Sequence, residues 1–568
     1  MQISSIALLA GYAFQATLSK ATEKATHVKR QSPAPVASAC TTFQTPTISG
    51  ATVVSIQAAQ RQGVVVNTTL MGDNGPQQVP PLDICDVNVT LSHGTSGDMV
   101  RVEIWMPLNN WNGRFQATGG GGFVAGTFGQ AMVPQVAAGF AASSTDAGIP
   151  AGTGMAGVIG NRQLYQNFQS LSIHEMALVG KDIVNQFYGR AANFSYYNGC
   201  STGGRQGYVE AEVFPTDFNG ILAAAPAINF NRFSAASLWP TVAQASMGGF
   251  MDQCTFQVLR NANIAACDVT ADDSVADGII QNPFACNFNV MSMVGAPAAG
   301  CATGTITAQQ ASAYASILAG PRAVNGTQLW YGWLPGTNFT LGSTASWTGN
   351  FIVQQANLTN GTINAANFGQ VFDRSVEFFN NNLSATNADL TPLKNAGGKL
   401  LTWHGLYDNM IFPSGTLDYH QRVIDTLGGA NNVDDFYRVF EAPGVGHCGN
   451  GVGPVPLNPI NSLVDWVERG IAPDTLPALK VNGSQIIRRN VCRVGFSPRF
   501  MGGDANVAES WTCQATQQNF PVLDADVGGL GGSTTGANAT TQVSQASSAG
   551  HHIWLALGAG LAGLMYAM

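Results

Sequence analysis

The chain has 568 residues, a formal net charge of −8, 45% hydrophobic residues and only 10% charged residues, against an ordinary charged fraction of about 25%. No internal apolar run reaches the roughly 18 residues of a membrane-crossing helix, which excludes a polytopic membrane protein. The acidic balance without a Lys/Arg cluster argues against nucleic-acid binding, and the apolar content excludes a generically disordered chain.

The first 30 residues predict a secretory signal peptide followed by a short pro-segment. Residues 6–10 are apolar and small residues follow, with plausible cleavage after Ala13, Ala16 or Ala21. The dibasic pair Lys29-Arg30 then precedes Gln31. Val100-Arg-Val-Glu-Ile-Trp105 alternates and predicts a strand. Phe115-Gln-Ala-Thr118 is a second strand that runs into the loop Gly119-Gly-Gly-Gly122. Between Ser172 and Phe187, Met176, Leu178, Val179, Ile183 and Val184 recur at helical spacing on one broad face. Phe194-Ser-Tyr-Tyr197 is a short strand, and a helical stretch ending near Phe214 follows it. Gly220-Ile-Leu-Ala-Ala-Ala225, Lys399-Leu-Leu-Thr-Trp-His404 and Phe436-Tyr-Arg-Val-Phe440 are further strands. This alternation predicts an α/β fold with a mostly parallel sheet. From about 226 to 394 the composition shifts to Asn, Gly, Ala and Thr, with four cysteines and five glycosylation sequons. That segment reads as a second domain inserted as a lid, so that 31–225 and 395–520 form one core.

Residues 521–568 read as a Gly/Ser/Thr-rich spacer and a GPI-attachment signal. Residues 553–568 are apolar and uncharged, and the spacer supplies candidate attachment residues from Asn538 to Ser548. Asn-x-Ser/Thr sequons stand at Asn67, Asn88, Asn193, Asn325, Asn338, Asn357, Asn360, Asn382, Asn482 and Asn538. Together with the leader they predict a glycosylated extracellular protein in which glycans supply the missing surface polarity, and the tail predicts its attachment at the cell surface. The ten cysteines include no C-x-x-C pattern, and in an oxidising compartment they predict disulfides.

The sharpest chemical signal is Gly199-Cys200-Ser201-Thr202-Gly203, which fits G-x-S-x-G between a strand and a helix. A sharp strand-to-helix turn needs glycines beside a strained serine, and it lifts the hydroxyl clear of the sheet. Ser201 is therefore the candidate nucleophile. Of the histidines, His27, His551 and His552 fall in segments expected to be removed, and the order Ser, acid, His of α/β-hydrolases disfavours His93 and His174. His447, in the glycine-rich loop Pro443-Gly-Val-Gly-His-Cys-Gly-Asn-Gly451, is the candidate base. His404 at a strand end and His420 on a helix face read as structural. Asp408, directly after a buried strand, is the candidate acid that orients the imidazole. Asp418, its competitor, lies in a helical stretch and reads as solvated. Cys200 and Cys448 flank Ser201 and His447, so a working triad brings them to bonding distance and predicts a Cys200–Cys448 disulfide. The oxyanion hole needs two backbone N–H groups. Thr202 supplies one and the glycine run the other, with Gly120 and Gly121 as candidates. Asp268, Asp272, Asp273 and Asp277 cluster within twelve residues. They suit Ca²⁺ as well as they suit a solvated acidic turn.

These pieces resemble the tannase/feruloyl esterase family of serine hydrolases. The resemblance rests on Gly199-Cys-Ser-Thr-Gly-Gly-Arg-Gln-Gly207, His404-Gly-Leu-Tyr-Asp408, Pro443-Gly-Val-Gly-His-Cys448 and Trp111-Asn-Gly-Arg-Phe115, and it spans about 40 to 515. It implies an α/β-hydrolase core whose lid shapes a pocket for an aromatic acyl group. It also implies Ca²⁺ held by Asp268, Asp273 and Asp277 with the carbonyls of Val275 and Ile279. The loop is longer than the family pattern, which leaves Asp272 as the alternative to Asp273. By the same resemblance Cys267–Cys286, Cys40–Cys85 and Cys492–Cys513 pair, leaving Cys254 with Cys301. The expected activity is hydrolysis of an aromatic ester, feruloyl or galloyl, through a serine acyl-enzyme. The contrasting expectations are a non-catalytic GPI-held protein on a hydrolase fold and a serine peptidase.

Overall fold

A computed structural model describes residues 39–516 except 67, 70–75, 78, 150–151, 270–272, 339–347, 354–361 and 381–382, together with Leu523. The expected leader, attachment signal, Asp272 and the sequons at Asn67, Asn357, Asn360, Asn382 and Asn538 lie outside the described residues.

Nine strands form the central sheet: β1 (Thr52–Val64), β2 (Leu82–Ser92), β3 (Val100–Pro107), β4 (Arg114–Thr118), β5 (Ala141–Thr145), β6 (Phe194–Cys200), β7 (Gly220–Ala224), β8 (Lys399–Gly405) and β9 (Tyr437–Ala442). Their spatial order is β1-β2-β3-β5-β4-β6-β7-β8-β9. From β5 to β9 every neighbouring pair is parallel, whereas β1, β2, β3 and β5 pair antiparallel. The parallel half matches the expectation from strand–helix alternation. The antiparallel edge is an addition: β1 is largely solvent-facing, and β2 carries Asp83, Asp86 and Asn88, which obscure a strand pattern.

The parallel strands are short and apolar because both faces are covered. Helix α1 (Ser172–Tyr188) lays Met176, Val179, Ile183, Val184 and Phe187 on the sheet, while Leu178 sits half-buried at the margin. Gly180 permits this close approach, since a Cβ there would lie 2.5 Å from the Phe115 ring of β4. Helix α2 (Thr202–Val213) follows β6 directly and is buried along nearly its whole length.

Between β7 and β8 the chain leaves the sheet and builds α3 (Phe230–Ala236), α4 (Trp239–Met247), α5 (Gln253–Cys267), α6 (Ala308–Ala319) and α7 (Phe368–Phe378). This insertion has its own aromatic cluster, including Phe230, Phe233, Trp239, Phe256, Tyr314 and Phe368, which takes in Ile411 and Phe412 from the segment just past Asp408. Edge-to-face pairs such as Trp239–Phe368, 5.0 Å between centroids, order it. Helices α8 (Pro413–Thr426) and α9 (Pro459–Arg469) complete the core. Two C-terminal hairpins follow: β10 (Thr475–Asn482) with β11 (Gln485–Cys492), and β12 (Phe496–Phe500) with β13 (Trp511–Ala515). Five disulfides join Cys40–Cys85, Cys200–Cys448, Cys254–Cys301, Cys267–Cys286 and Cys492–Cys513. Among the described residues no helix is long and apolar enough to cross a membrane.

Candidate active site

β6 ends in a turn so tight that Ser201 takes φ 63° and ψ −121°, a conformation costly for a residue with a side chain. Backbone bonds hold it there: Ser201 N–H donates to Ala224 O at 3.0 Å, and Ser201 O accepts the N–H groups of Ala227 and Arg205, both at 3.0 Å. Glycines make the turn sterically possible. A Cβ on Gly199 would stand 2.5 Å from the Gly203 carbonyl carbon, and one on Gly203 would stand 2.8 Å from Gly120 O.

The turn presents Ser201 Oγ to His447 Nε2 at 2.9 Å, and His447 Nδ1 lies 2.8 Å from Asp408 Oδ2. His447 comes from the glycine loop after β9 and Asp408 from the turn after β8, so three strand ends of the sheet converge. Asp408 is fully buried, and its other oxygen accepts the N–H groups of Met410 (2.8 Å) and Ile411 (2.9 Å). Burial works against its charge, but the His447 imidazole and the bonds from His404 and His447 outweigh it and hold the carboxyl well below its usual range. Burial likewise works against a charged His447, and the Asp408 carboxylate overrides it, leaving the imidazole above its ordinary value. Cys200 and Cys448 are bridged with Cα atoms 6.0 Å apart, tying the serine strand to the histidine loop.

Thr202 is the first residue of α2, so its N–H has no helical acceptor. Its hydroxyl donates to Gly122 O, which brings the glycine run alongside. Gly120 is a correction: its N–H is buried and donates to Gln206 Oε1 at 3.1 Å, and its carbonyl accepts Gly203 N–H at 2.9 Å. Gly120 therefore locks the loop to α2 and has no N–H left for an oxyanion. Gly119 N–H is likewise engaged, by Asn198 O at 3.0 Å, which leaves the exposed Gly121 and Gly122 in the run, with Gly121 the candidate donor already named. Asp418 is a second correction. It is helical as expected but buried, accepting from Arg422 and Tyr331 at 3.0 Å each.

The remaining histidines sort by partner. His93 bridges Asp98 (2.6 Å) and Glu175 (2.7 Å), and His174 meets Asp217 at 2.5 Å. His420 is buried edge-on to Tyr437, and burial pushes its imidazole down to about 4. His404 differs, since its Nε2 lies 3.1 Å from Asp408 Oδ2. Sequence position marks it as a strand-end residue, and only the fold reveals that contact.

In the acidic loop, Asp268 accepts the N–H groups of Gly278 (2.9 Å) and Ile279 (3.1 Å), and Asp273 accepts Val275 N–H at 2.9 Å. Asp277 accepts Ile279 N–H at 3.1 Å and meets Arg489 at 3.0 Å. Burial raises all three carboxyls, that of Asp277 to about 6, with the charges of Asp268 and Asp273 adding to it against Arg489. Carboxyls raised by burial, with like charges adding at Asp273 and Asp277, are chemically suited to a hard dication. Among the described residues, however, no three His, Cys, Asp or Glu side chains are grouped to hold a metal ion. Tyr407 joins this loop to the acid of the triad: its hydroxyl accepts Ile280 N–H at 2.9 Å and donates to Gly278 O at 3.3 Å.

A sheet of this order with a strained serine after its central parallel strand, an imidazole and a carboxylate at neighbouring strand ends, and a helical insertion defines an α/β-hydrolase. The chain belongs to the tannase and feruloyl esterase family, whose model matches residues 85–514. It is 41% identical over 507 residues to a probable feruloyl esterase of Arthroderma benhamiae, covering 84% of this chain and 93% of that one. The crystal structure of feruloyl esterase B from Aspergillus oryzae superposes with a TM-score of 0.71 at 27% identity, covering 82% of this chain and 97% of that one. The tannin acyl hydrolase of Aspergillus niger shares the fold, with a TM-score of 0.74 at 23% identity over 83% of this chain and 92% of that one. The protein is a carboxylic ester hydrolase, and its disulfides accord with an extracellular setting.

Proposed function

We propose that the chain is a secreted serine esterase that cleaves feruloyl-type aromatic esters of plant material through an acyl-enzyme. The observation that carries this reading is the unbroken line from Ser201 Oγ through His447 to Asp408 at 2.9 and 2.8 Å. Ser201 Oγ attacks the ester carbonyl while His447 Nε2 takes its proton. Asp408 orients the imidazole and stabilises the imidazolium. The oxyanion accepts the N–H groups of Thr202 and Gly121. His447 then protonates the leaving alkoxide and the alcohol departs. Water, deprotonated by His447, attacks the acyl-enzyme and releases the acid, restoring Ser201.

Feruloyl rather than galloyl specificity is favoured by the relative at 41% identity, which bears the former name. Secretion, glycosylation and GPI attachment belong to the same proposal. They are supported by the leader and tail patterns and by exposed sequons at Asn193, Asn325, Asn338 and Asn482. So does a structural Ca²⁺ at Asp268, Asp273 and Asp277 with the carbonyls of Val275 and Ile279, supported by the burial that raises all three carboxyls and the like charges that add to it at Asp273 and Asp277. The deciding experiment compares wild type with Ser201→Ala on methyl ferulate and methyl gallate. The expected result is turnover of methyl ferulate by wild type and none above background by the variant. A folded wild type that cleaves no aryl ester would overturn the esterase reading, and preferential cleavage of gallate would make it a tannase.

A further inference from the structure

The acid of the triad serves two histidines. His404, at the end of β8 and 1% exposed, directs Nε2 at Asp408 Oδ2 (3.1 Å) and Nδ1 at Thr416 Oγ1 (2.9 Å) on α8. The same Oδ2 faces His447 Nδ1 at 2.8 Å, and Oδ1 faces two backbone N–H groups. A carboxylate offers about four acceptor sites, and here four donors take them. Asp408 thus has no room for a proton, and both ring nitrogens facing it carry hydrogen. His447 is then the Nδ1–H form, with the lone pair of Nε2 turned to Ser201. His404 is the Nε2–H form, and its Nδ1 either accepts from the Thr416 hydroxyl or, if protonated, donates to it. During acyl transfer His447 becomes an imidazolium. A second imidazolium on the same buried carboxylate would leave one anion to offset two cations. Thr416 is placed to donate to Nδ1, which occupies that lone pair and polarises Nε2–H toward the carboxylate.

We propose that His404 is a positioning residue for the esterase reaction. Oriented as an Nε2–H donor by Thr416, it fixes the rotation of the Asp408 carboxylate and draws charge from the oxygen that His447 uses, lowering the basicity of His447. This rests on the esterase reading only for its catalytic consequence. Among the described residues, the ionisable groups facing Asp408 are the two imidazoles, one from the end of β8 and one from the loop after β9. The charged group facing His447 is Asp408.

The experiment is a pH titration of ¹⁵N-histidine-labelled protein by NMR, with kcat/KM against pH measured on the same samples using methyl ferulate. Wild type is compared with His404→Leu, His404→Gln and Thr416→Val. In wild type the His404 ¹⁵N signals report hydrogen on Nε2, the nitrogen facing Asp408, while His447 titrates. In His404→Leu and Thr416→Val the His447 midpoint rises by about half a unit or more, since the carboxylate recovers the charge it had shared. The acid limb of kcat/KM moves with it, and kcat falls about tenfold with KM near wild type. His404→Gln, which keeps an N–H at similar reach, restores the limb. A purely structural His404 would lower stability without moving the midpoint. The proposal is overturned if His404 Nε2 carries no hydrogen toward Asp408, or if the His447 midpoint is unmoved in the folded variants. Thr416→Val carries the test should His404→Leu fail to fold. Because the midpoint is read without turnover, inactivity of wild type on aryl esters would defeat the esterase reading separately.

Discussion

The Cys200–Cys448 bridge closes 248 residues of chain and flanks two of the three triad members. Its removal therefore has one cost in stability and another in activity, and the two can be worked separately. In the chain-entropy description, closing a loop of that length removes about 18 cal/mol/K from the unfolded ensemble, or about 5.5 kcal/mol at 25 °C. For a folded region of roughly 480 residues the entropy of unfolding is about 1 kcal/mol/K, so the expected fall in Tm is about 5 °C. Activity follows a different logic. The histidine loop keeps its shape without the bridge, because Val445 O accepts Tyr407 N–H at 2.8 Å and Gly444 O accepts the N–H groups of Val452 and Gly453 at 3.0 and 2.9 Å. What the bridge adds is the distance between that loop and Ser201, and a misplacement of about 1 Å at reacting atoms costs on the order of 100-fold. The double variant Cys200→Ala/Cys448→Ala should lose 10- to 100-fold in kcat, by about that reasoning, with little change in KM. The control is Cys492→Ala/Cys513→Ala, whose bridge spans 21 residues between the two terminal hairpins, neither of which supplies a triad residue. It should lose about 3 kcal/mol in the same description and leave kcat intact. The assay is ester hydrolysis well below both melting temperatures, with calorimetric Tm alongside. Wild-type kcat in the first variant would reduce the bridge to a staple. Equal kcat losses in both would show that the effect is general loosening.

Three further outcomes follow from the same geometry. Gly199→Ala would drive a Cβ into the Gly203 carbonyl carbon at 2.5 Å; overpacking of this kind costs about 1–3 kcal/mol, and denaturant melts should record it together with a fall in kcat, whereas a neutral result would refute the steric account of the turn. The pH dependence has two signs. Because the folded imidazole of His447 lies above its ordinary value, kcat/KM should rise with pH through that raised midpoint. The stability the pair contributes is complete below the unfolded imidazole pKa and is lost as pH climbs through the folded one. Asp408, depressed in the fold, contributes stability that is present above the ordinary carboxylate value and lost as pH falls through the depressed one. Thermal melts of wild type and Asp408→Asn across pH separate these contributions. Finally, metal analysis of undialysed protein should find Ca²⁺, and EGTA should lower Tm; an unchanged Tm with no metal would refute the cation at Asp268, Asp273 and Asp277.

What was legible in the sequence divides by range of interaction. Strands β4, β6, β7 and β8 stood out because they are short, apolar and followed by glycine or a sharp turn; the structure places the ends of β4, β7 and β8 within one residue of the expectation and carries β6 three residues further, to Cys200. The signal at Ser201 was legible for the same local reason. Steric crowding at one turn demands glycines on both sides, and the Cys neighbours of Ser201 and His447 carry that local geometry into a long-range pairing. The contacts not legible in the sequence have their deciding partner far away along the chain. Gly120 looked like an open N–H until Gln206, 86 residues on, took it. Asp418 looked solvated until Tyr331, 87 residues away, covered it. The hairpins β10 to β13 show no clean alternation, because Lys480 and Arg489 interrupt it while reaching Gly451 O and Asp277 elsewhere. His404 is the instructive intermediate. Asp408 is only four residues away, a spacing that on a helix would suggest contact but at a strand end ordinarily does not. The turn after β8 folds the carboxylate back under its own strand, so that one oxygen faces both imidazoles. A strand-end histidine four residues before the acid of such a triad is thus a geometric consequence of the turn that places the acid, and can be read as part of the same unit.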